Sequence, residues 1–502
     1  MKTFVKYIKL AAIFLAIPII CYLVLDSARS HMERGWFQAL QKTIPSDRIP
    51  PLAGICQNPS TVASLELAVI CTPYTNSEIF RMTAVLTAVG TVLFAALVWL
   101  AGIASKSNRH LLLRLFRPGF VVSNLVVAAL LIIQAILITA TIRCSQWNKT
   151  ADDTIFYGVV FGLVALAGVF LTIKPLFGTA RRANSLVIGQ SLTATDNPSL
   201  WQFVSKLALQ VGSDPPHHVV VGLTPAFFVT EADVQCIGGA LSGRTMYLSL
   251  PLCRILTVDE LSAVIAHELG HFRGEDTVFS LRFYPIYRGA IDSLNGVSEA
   301  AQKINRVLSY IPINAVRIIG LFGSLTLFPS VFMISFFLEC FAGAENAVSR
   351  DRELAADALA AQTAGAKNIA TALAKLHAFT GMWDRVTGAM KEGLLAGYVT
   401  VGDDRYEPRQ FFSNVSELYA LSVAQWAQPR SLDGLDSKSI PHPTDTHPPL
   451  SVRLSALGQT LAGITTSALA VSPDPSAQKV IDNCDAIEVQ LSLVEQAIVS
   501  PQ

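Results

Sequence analysis

Three stretches of this sequence, 82–104, 120–141 and 155–173, are apolar and about long enough to cross a bilayer core of roughly 30 Å as helices. A shorter one, 10–25, follows Lys2, Lys6 and Lys9. No other feature limits the fold so strongly. Backbone inside lipid must satisfy its own hydrogen bonds, which leaves helices or a closed barrel. Composition agrees, with 51% of the 502 residues hydrophobic and only 15% charged. The mean hydropathy of +0.45 is too high for a wholly water-facing chain. The net charge of +1 leaves no basic footprint, so no nucleic-acid partner is expected. Residues 1–175 are expected to form an α-helical membrane region with four spans.

A cleaved signal peptide is the competing reading of 10–25. The residues that follow, Asp26-Ser27-Ala28-Arg29-Ser30, hold no A-x-A cleavage site and favour an uncleaved anchor. Basic residues give the orientation. Lys106, Arg109, Arg114 and Arg117 lie between the second and third runs with no acid among them, and Lys174, Arg181 and Arg182 follow the fourth. Together with the N-terminal lysines they predict cytoplasmic loops there and a cytoplasmic face for everything after residue 176. The loop 26–81 then lies outside, where Cys56 and Cys71 can pair or remain free thiols. The glycosylation triplet Asn148-Lys149-Thr150 falls on that side, but such triplets are common. Eight cysteines in so long a chain are no disulfide framework, and none form a C-x-x-C pair.

From 176 to 460 the pattern is that of an α+β domain. An amphipathic helix is expected over 199–211 and strands over 218–222, 226–230 and 245–250, with turns at Gly238-Gly239 and Ser242-Gly243. The last strand could offer an exposed edge to an extended substrate, or be an ordinary interior strand. Thr257-Val258-Asp259-Glu260 is a capping box, and Leu261, Val264 and Ile265 continue it with helical periodicity. On that helix stands His267-Glu268-Leu269-Gly270-His271, an H-E-x-x-H. Residues four apart share a helix face, so both imidazoles can grip one zinc ion while Glu268 reaches a water. A catalytic zinc needs a third protein ligand and one open position. Glu353 offers the ligand, and Asp357, one turn later, can support a ligand histidine. The competing reading is a solvated acidic face paired with Arg350 and Arg352. His217, His218 and His377 read as surface residues. Residues 381–440, rich in Gly, Pro, Asp and Ser, read as a lid or a long irregular connection. The tail, 461–502, is expected to be helical near 477–499, without recognisable chemistry.

The segments A-H-E-L-G-H and S-R-D-R-E-L-A-A-D-A resemble the integral-membrane zinc metallopeptidases related to HtpX and to the CAAX prenyl protease. The strand before the zinc helix, its Asp259-Glu260-Leu261 entry, and His447-Pro448-Pro449-Leu450 with Arg453 are similar to further family elements. The ordered set spans about residues 218 to 457. The resemblance implies a zincin-like metallopeptidase domain holding one Zn²⁺ per chain through His267, His271 and Glu353. It implies Glu268 as general base and brings the H-P element to the active site. His447 and Arg453 are therefore candidate donors to the oxyanion. The expected function is hydrolysis of protein or peptide substrates at the cytoplasmic face of a membrane, such as a bacterial inner membrane. The alternative is a non-proteolytic membrane chaperone or scaffold with a structural zinc.

A fifth apolar run, 318–338, lies between His271 and Glu353. A single crossing there would leave the ligands on opposite sides of the bilayer. The expectation is a membrane-associated insertion near 311–341 that packs on the spans, or dips into the membrane and returns with a bend at Pro329. Arg282, Arg288 and Asp292 speak against a further span before it.

Overall fold

The computed structural model describes residues 2–57, 65–106, 108–145, 151–173, 184–274, 314–435, 448–471 and 476–499, with single positions between 283 and 306. The chain divides into two units, Met1–Ala180 with Ile286–Glu345, and Arg181–Pro285 with Asn346–Gln502.

The first unit is helical: α1 (Lys2–Leu40), α2 (Leu52–Cys56), α3 (Leu65–Ser105), α4 (Arg109–Ser145) and α5 (Ala151–Ile173). Among the described residues, Leu67–Ser105 and His110–Ser145 are long and apolar enough to cross a membrane, and Gly158–Ile173 is a shorter apolar helix. The helices outrun the apolar runs. α1 has 39 residues and α3 has 41, about 60 Å each at 1.5 Å per residue. The loop expected over 26–81 is therefore mostly helix. Hydropathy marks only the lipid-facing part, whereas helical hydrogen bonds are local and continue into polar sequence. Side chains tie the projecting ends together. Arg81 meets Asp26 at 2.6 Å, Arg29 pairs with Glu33 and Glu78, and a Cys56–Cys71 disulfide joins α2 to α3.

Described residues of Ile286–Glu345 pack against α4. The Phe116 ring lies 6.2 Å from that of Tyr287 and 5.4 Å from that of Phe341. The helix Asn314–Ala364 passes through 318–338 without a break. The fifth run therefore does not double back at Pro329. Glycines admit it closely. A Cβ on Gly119 would stand 3.1 Å from Phe337, and one on Gly102 would stand 2.9 Å from the Cys340 carbonyl.

The second unit is built on a mixed six-stranded sheet. Its strands are β1 (Asn184–Leu192), β2 (His218–Gly222), β3 (Phe228–Thr230), β4 (Asp233–Ile237), β5 (Gly239–Leu241) and β6 (Thr245–Ser249), in spatial order β3-β6-β2-β1-β4-β5. β6 runs parallel to β2 and antiparallel to β3. The strand proposed as an exposed edge is therefore interior, and every one of its residues is buried. Its Tyr247 stacks on Phe228 at 4.9 Å. A Cβ at Gly222 would collide with the Tyr247 hydroxyl, so that position must be bare. The other face of β2 and β6 carries Val219, Val221, Met246 and Leu248 into the main core.

That core is covered by helices α6 (Pro198–Val211), α7 (Leu250–Ile255) and α8 (Val258–Arg273). Later come α9 (Asn314–Ala364), α10 (Ala366–Phe379), α11 (Met382–Ala396), α12 (Pro408–Phe411), α13 (Val415–Trp426), α14 (Leu450–Ala456), α15 (Leu461–Leu469) and α16 (Cys484–Val499). Between α9 and α10 the helix breaks at Gly365, whose φ of 99° suits a residue without Cβ. Residues 382–426 are largely helical, with a hairpin β7–β8 (Val399–Val401, Asp404–Tyr406), rather than an irregular lid. The tail docks on the core. Glu488 of α16, fully buried, pairs with Arg254 of α7. Asp482 accepts from the Ser199 N–H at the start of α6, at 2.9 Å.

Candidate metal centre

Helix α8 starts where the capping box predicts. Thr257 Oγ1 accepts from the Glu260 N–H at 3.1 Å, and Glu260 Oε2 accepts from the Thr257 N–H at 2.8 Å. The Glu260 carboxylate has a second partner that sequence reading missed. Lys375 of α10, wholly buried, donates to Glu260 at 2.7 Å, to the Ile255 carbonyl at 3.0 Å and to the Ala470 carbonyl at 2.8 Å. Its three N–H groups are all used. Burial pushes the Lys375 ammonium below its ordinary pKa, and the Glu260 charge offsets part of that. A lysine on an alanine-rich helix reads as solvated; only its distant partners mark it.

Two turns beyond Glu260, His267 and His271 face α9. Gly270 lies at the crossing, where an added Cβ would already touch Ala356 and Leu359 at 3.4 Å. The close approach brings Glu353 to the histidines. The two Nε2 atoms are 3.2 Å apart. Glu353 Oε2 lies 3.6 Å from His267 Nε2, and its Oε1 lies 3.5 Å from His271 Nε2. All three side chains are buried, and their donor atoms form the one metal-type group found among the described residues. Metal bonds of 2.0–2.2 Å at tetrahedral angles set donors roughly 3.3–3.6 Å apart. The two imidazole nitrogens lie close to that spacing, and each faces one oxygen of the Glu353 carboxylate at a similar distance, so the donor set suits such an ion. Glu353 and Asp357 are not a solvated acidic face; each is 1% exposed.

Behind the donors stands a charged support. Asp357 Oδ1 is 3.0 Å from His267 Nδ1, a close but bent contact. Arg453 of α14 donates through Nε and Nη2 to the two Asp357 oxygens at 2.7 and 2.6 Å. Burial alone would raise the Asp357 pKa. Arg453 outweighs it by charge and hydrogen bonds, His267 adds to this, and the carboxyl is held well below the usual range. Arg453, also buried, is in turn held above its ordinary value by Asp357, against the effect of burial. Its Nη2 lies 3.6 Å from Glu353 Oε2. Two of its nitrogens are thus committed to Asp357. Glu268 is buried beside the group, and no hydrogen bond to a described residue occupies its carboxylate. His447 lies outside the described residues. His217 is exposed, and His377 is half-buried with Nδ1 against the Leu373 carbonyl; neither joins the site.

Residues 196–461 match the sequence model described as Peptidase family M48. Protease HtpX homolog 1 of Saccharolobus solfataricus is 30% identical over 161 residues, 31% of this chain and 49% of that protein. A protease HtpX homolog of Archaeoglobus fulgidus is 30% identical over 132 residues, 25% of this chain and 37% of that protein. That of Tropheryma whipplei (strain Twist) is 26% identical over 254 residues, 48% of this chain and 77% of that protein. The chain spans about half or less of the length of the first two relatives. No solved structure matches it.

Proposed function

The chain belongs to peptidase family M48, and we propose that it is a membrane-bound, zinc-dependent endopeptidase. Its substrates on this reading are membrane or misfolded proteins, cut at the cytoplasmic face. The observation that carries the reading is the convergence of His267, His271 and Glu353 from two helices, with Glu268 buried beside them. Two imidazoles and one carboxylate suit zinc and leave its fourth position open, the pattern of catalytic rather than structural sites. Held there, zinc supplies Lewis acidity to a water and to the scissile carbonyl. Glu268 takes the proton of the attacking water and hands it to the leaving amine. Asp357 supports His267 through Nδ1, which keeps Nε2 turned to the centre. Arg453 acts through Asp357, to which it is locked. By resemblance in the H-P element, His447 is the candidate donor to the oxyanion.

The test is Glu268→Gln in the full chain, purified in detergent. Metal content stays near one per chain, while cleavage of an unfolded protein substrate falls by orders of magnitude. Undiminished cleavage ends the peptidase reading. His267→Ala that still holds its metal ends the ligand assignment.

A further inference from the structure

Many serines and threonines inside the helices of this protein share one habit. Their hydroxyls donate to the carbonyl four residues back: Ser262 to Val258 at 2.9 Å on α8, and Thr363 to Leu359 at 2.9 Å on α9 itself. This is the ordinary way for a helical hydroxyl to satisfy itself. Ser349 of α9 departs from it, as do the buried Ser123 of α4 and Ser416 of α13. Ser349 is 1% exposed, yet its Oγ has no hydrogen-bond partner among the described residues. A buried hydroxyl left unmatched costs free energy, and such a group calls for an explanation.

Its position supplies one. Ser349 precedes Glu353 by four residues and Asp357 by eight, so the three share a face of α9. Side chains on a helix lean toward its N-terminus, which carries the Glu353 carboxylate back over the turn of Ser349. A ligating carboxylate uses one oxygen toward the ion, and the other is itself normally hydrogen-bonded. On the other side of the ligand set, Asp357 supports His267 and is supported by Arg453.

We propose that Ser349 is a positioning residue for the metal centre, its hydroxyl donating to the Glu353 carboxylate when that carboxylate serves as a ligand. The inference rests on the metal-site reading above. The hydroxyl fixes the carboxylate rotamer and so sets how tightly the ion is held.

The experiment measures zinc affinity of the full-length protein in detergent, by competition with a chromogenic chelator. Thermal melts of the metal-free protein run alongside, with Ser349→Ala, Ser349→Thr and Glu353→Ala compared with the parent. Ser349→Ala is expected to bind zinc roughly 10-fold more weakly, in the 10–100-fold range of lost ligand support. Its metal-free melt is expected to be unchanged, and Ser349→Thr, which keeps a hydroxyl, to recover most of the affinity. Parental zinc affinity in Ser349→Ala, with the metal lost from Glu353→Ala, overturns the role of Ser349 alone. A lowered metal-free melting point in Ser349→Ala also overturns it, because the hydroxyl would then serve packing. Parental affinity in Glu353→Ala overturns the metal-site reading itself.

Discussion

Two buried ion pairs hold the side chains that matter most, and both are exposed to single substitutions. Removing one partner of a buried pair costs about 3–5 kcal/mol, because the other charge is left uncompensated. Lys375→Met strands the Glu260 carboxylate, which is 4% exposed. A loss of that order in urea unfolding is expected, and a loss below ~1 kcal/mol would show that Lys375 does not anchor the start of α8. Asp357→Asn is gentler, since it keeps the shape and one acceptor for Arg453. Its charge no longer backs His267, so zinc affinity should fall about 10-fold or more. Parental affinity by chelator competition would remove Asp357 from the centre. The two pairs differ in how they appear in the sequence. His267, Glu268 and His271 are legible because their chemistry is local, set by helical spacing alone. Glu353 and Asp357 became candidates because a catalytic zinc needs a third ligand and these acids stand one helical turn apart, and their segment's resemblance supported the choice. Lys375 and Ser349 carry no local signal; what defines them is who lies opposite, and that is decided by tertiary packing.

At the scale of elements, the centre depends on how closely α8 and α9 cross, and Gly270 sets that distance. Ordinary van der Waals contact at 3.4 Å leaves room for a methyl group and nothing larger. Gly270→Ala should keep metal and activity within a few fold. Gly270→Leu must push the helices apart and pull Glu353 from the histidines, with loss of bound zinc measured by elemental analysis. Retained zinc in Gly270→Leu would mean that the crossing tolerates far more than packing density allows. Helix starts were readable in advance because caps are written in adjacent residues, as Thr257 and Glu260 show. Strand order was not. Alternation in residues 245–250 identifies a strand, but β3 covers one side of it through pairing that no local pattern encodes. The helices over 382–426 were missed for a related reason. Glycine-rich and polar composition lowers helix propensity, and packing on the core overrides it.

For the whole molecule, the donors impose a rule on the path of the chain. His271 and Glu353 must lie on one side of any bilayer, so the intervening chain must cross an even number of times or not at all. Tyr287 and Phe341 meet the same Phe116 ring, in keeping with that rule. We therefore predict that the site-bearing unit and the basic loop after α3 share the cytoplasmic side, opposite the disulfide-bonded region. Single cysteines at Ser46, Asn108, Asp214 and Asn346, all exposed, test this in a background with the six free cysteines replaced. An impermeant maleimide applied from outside to intact cells should label position 46 alone. Lysis should expose the other three. Labelling of 214 and 346 from opposite sides would break the metal centre as described. Labelling of both with 46 would keep the centre and reverse the orientation drawn from Lys106, Arg109, Arg114 and Arg117.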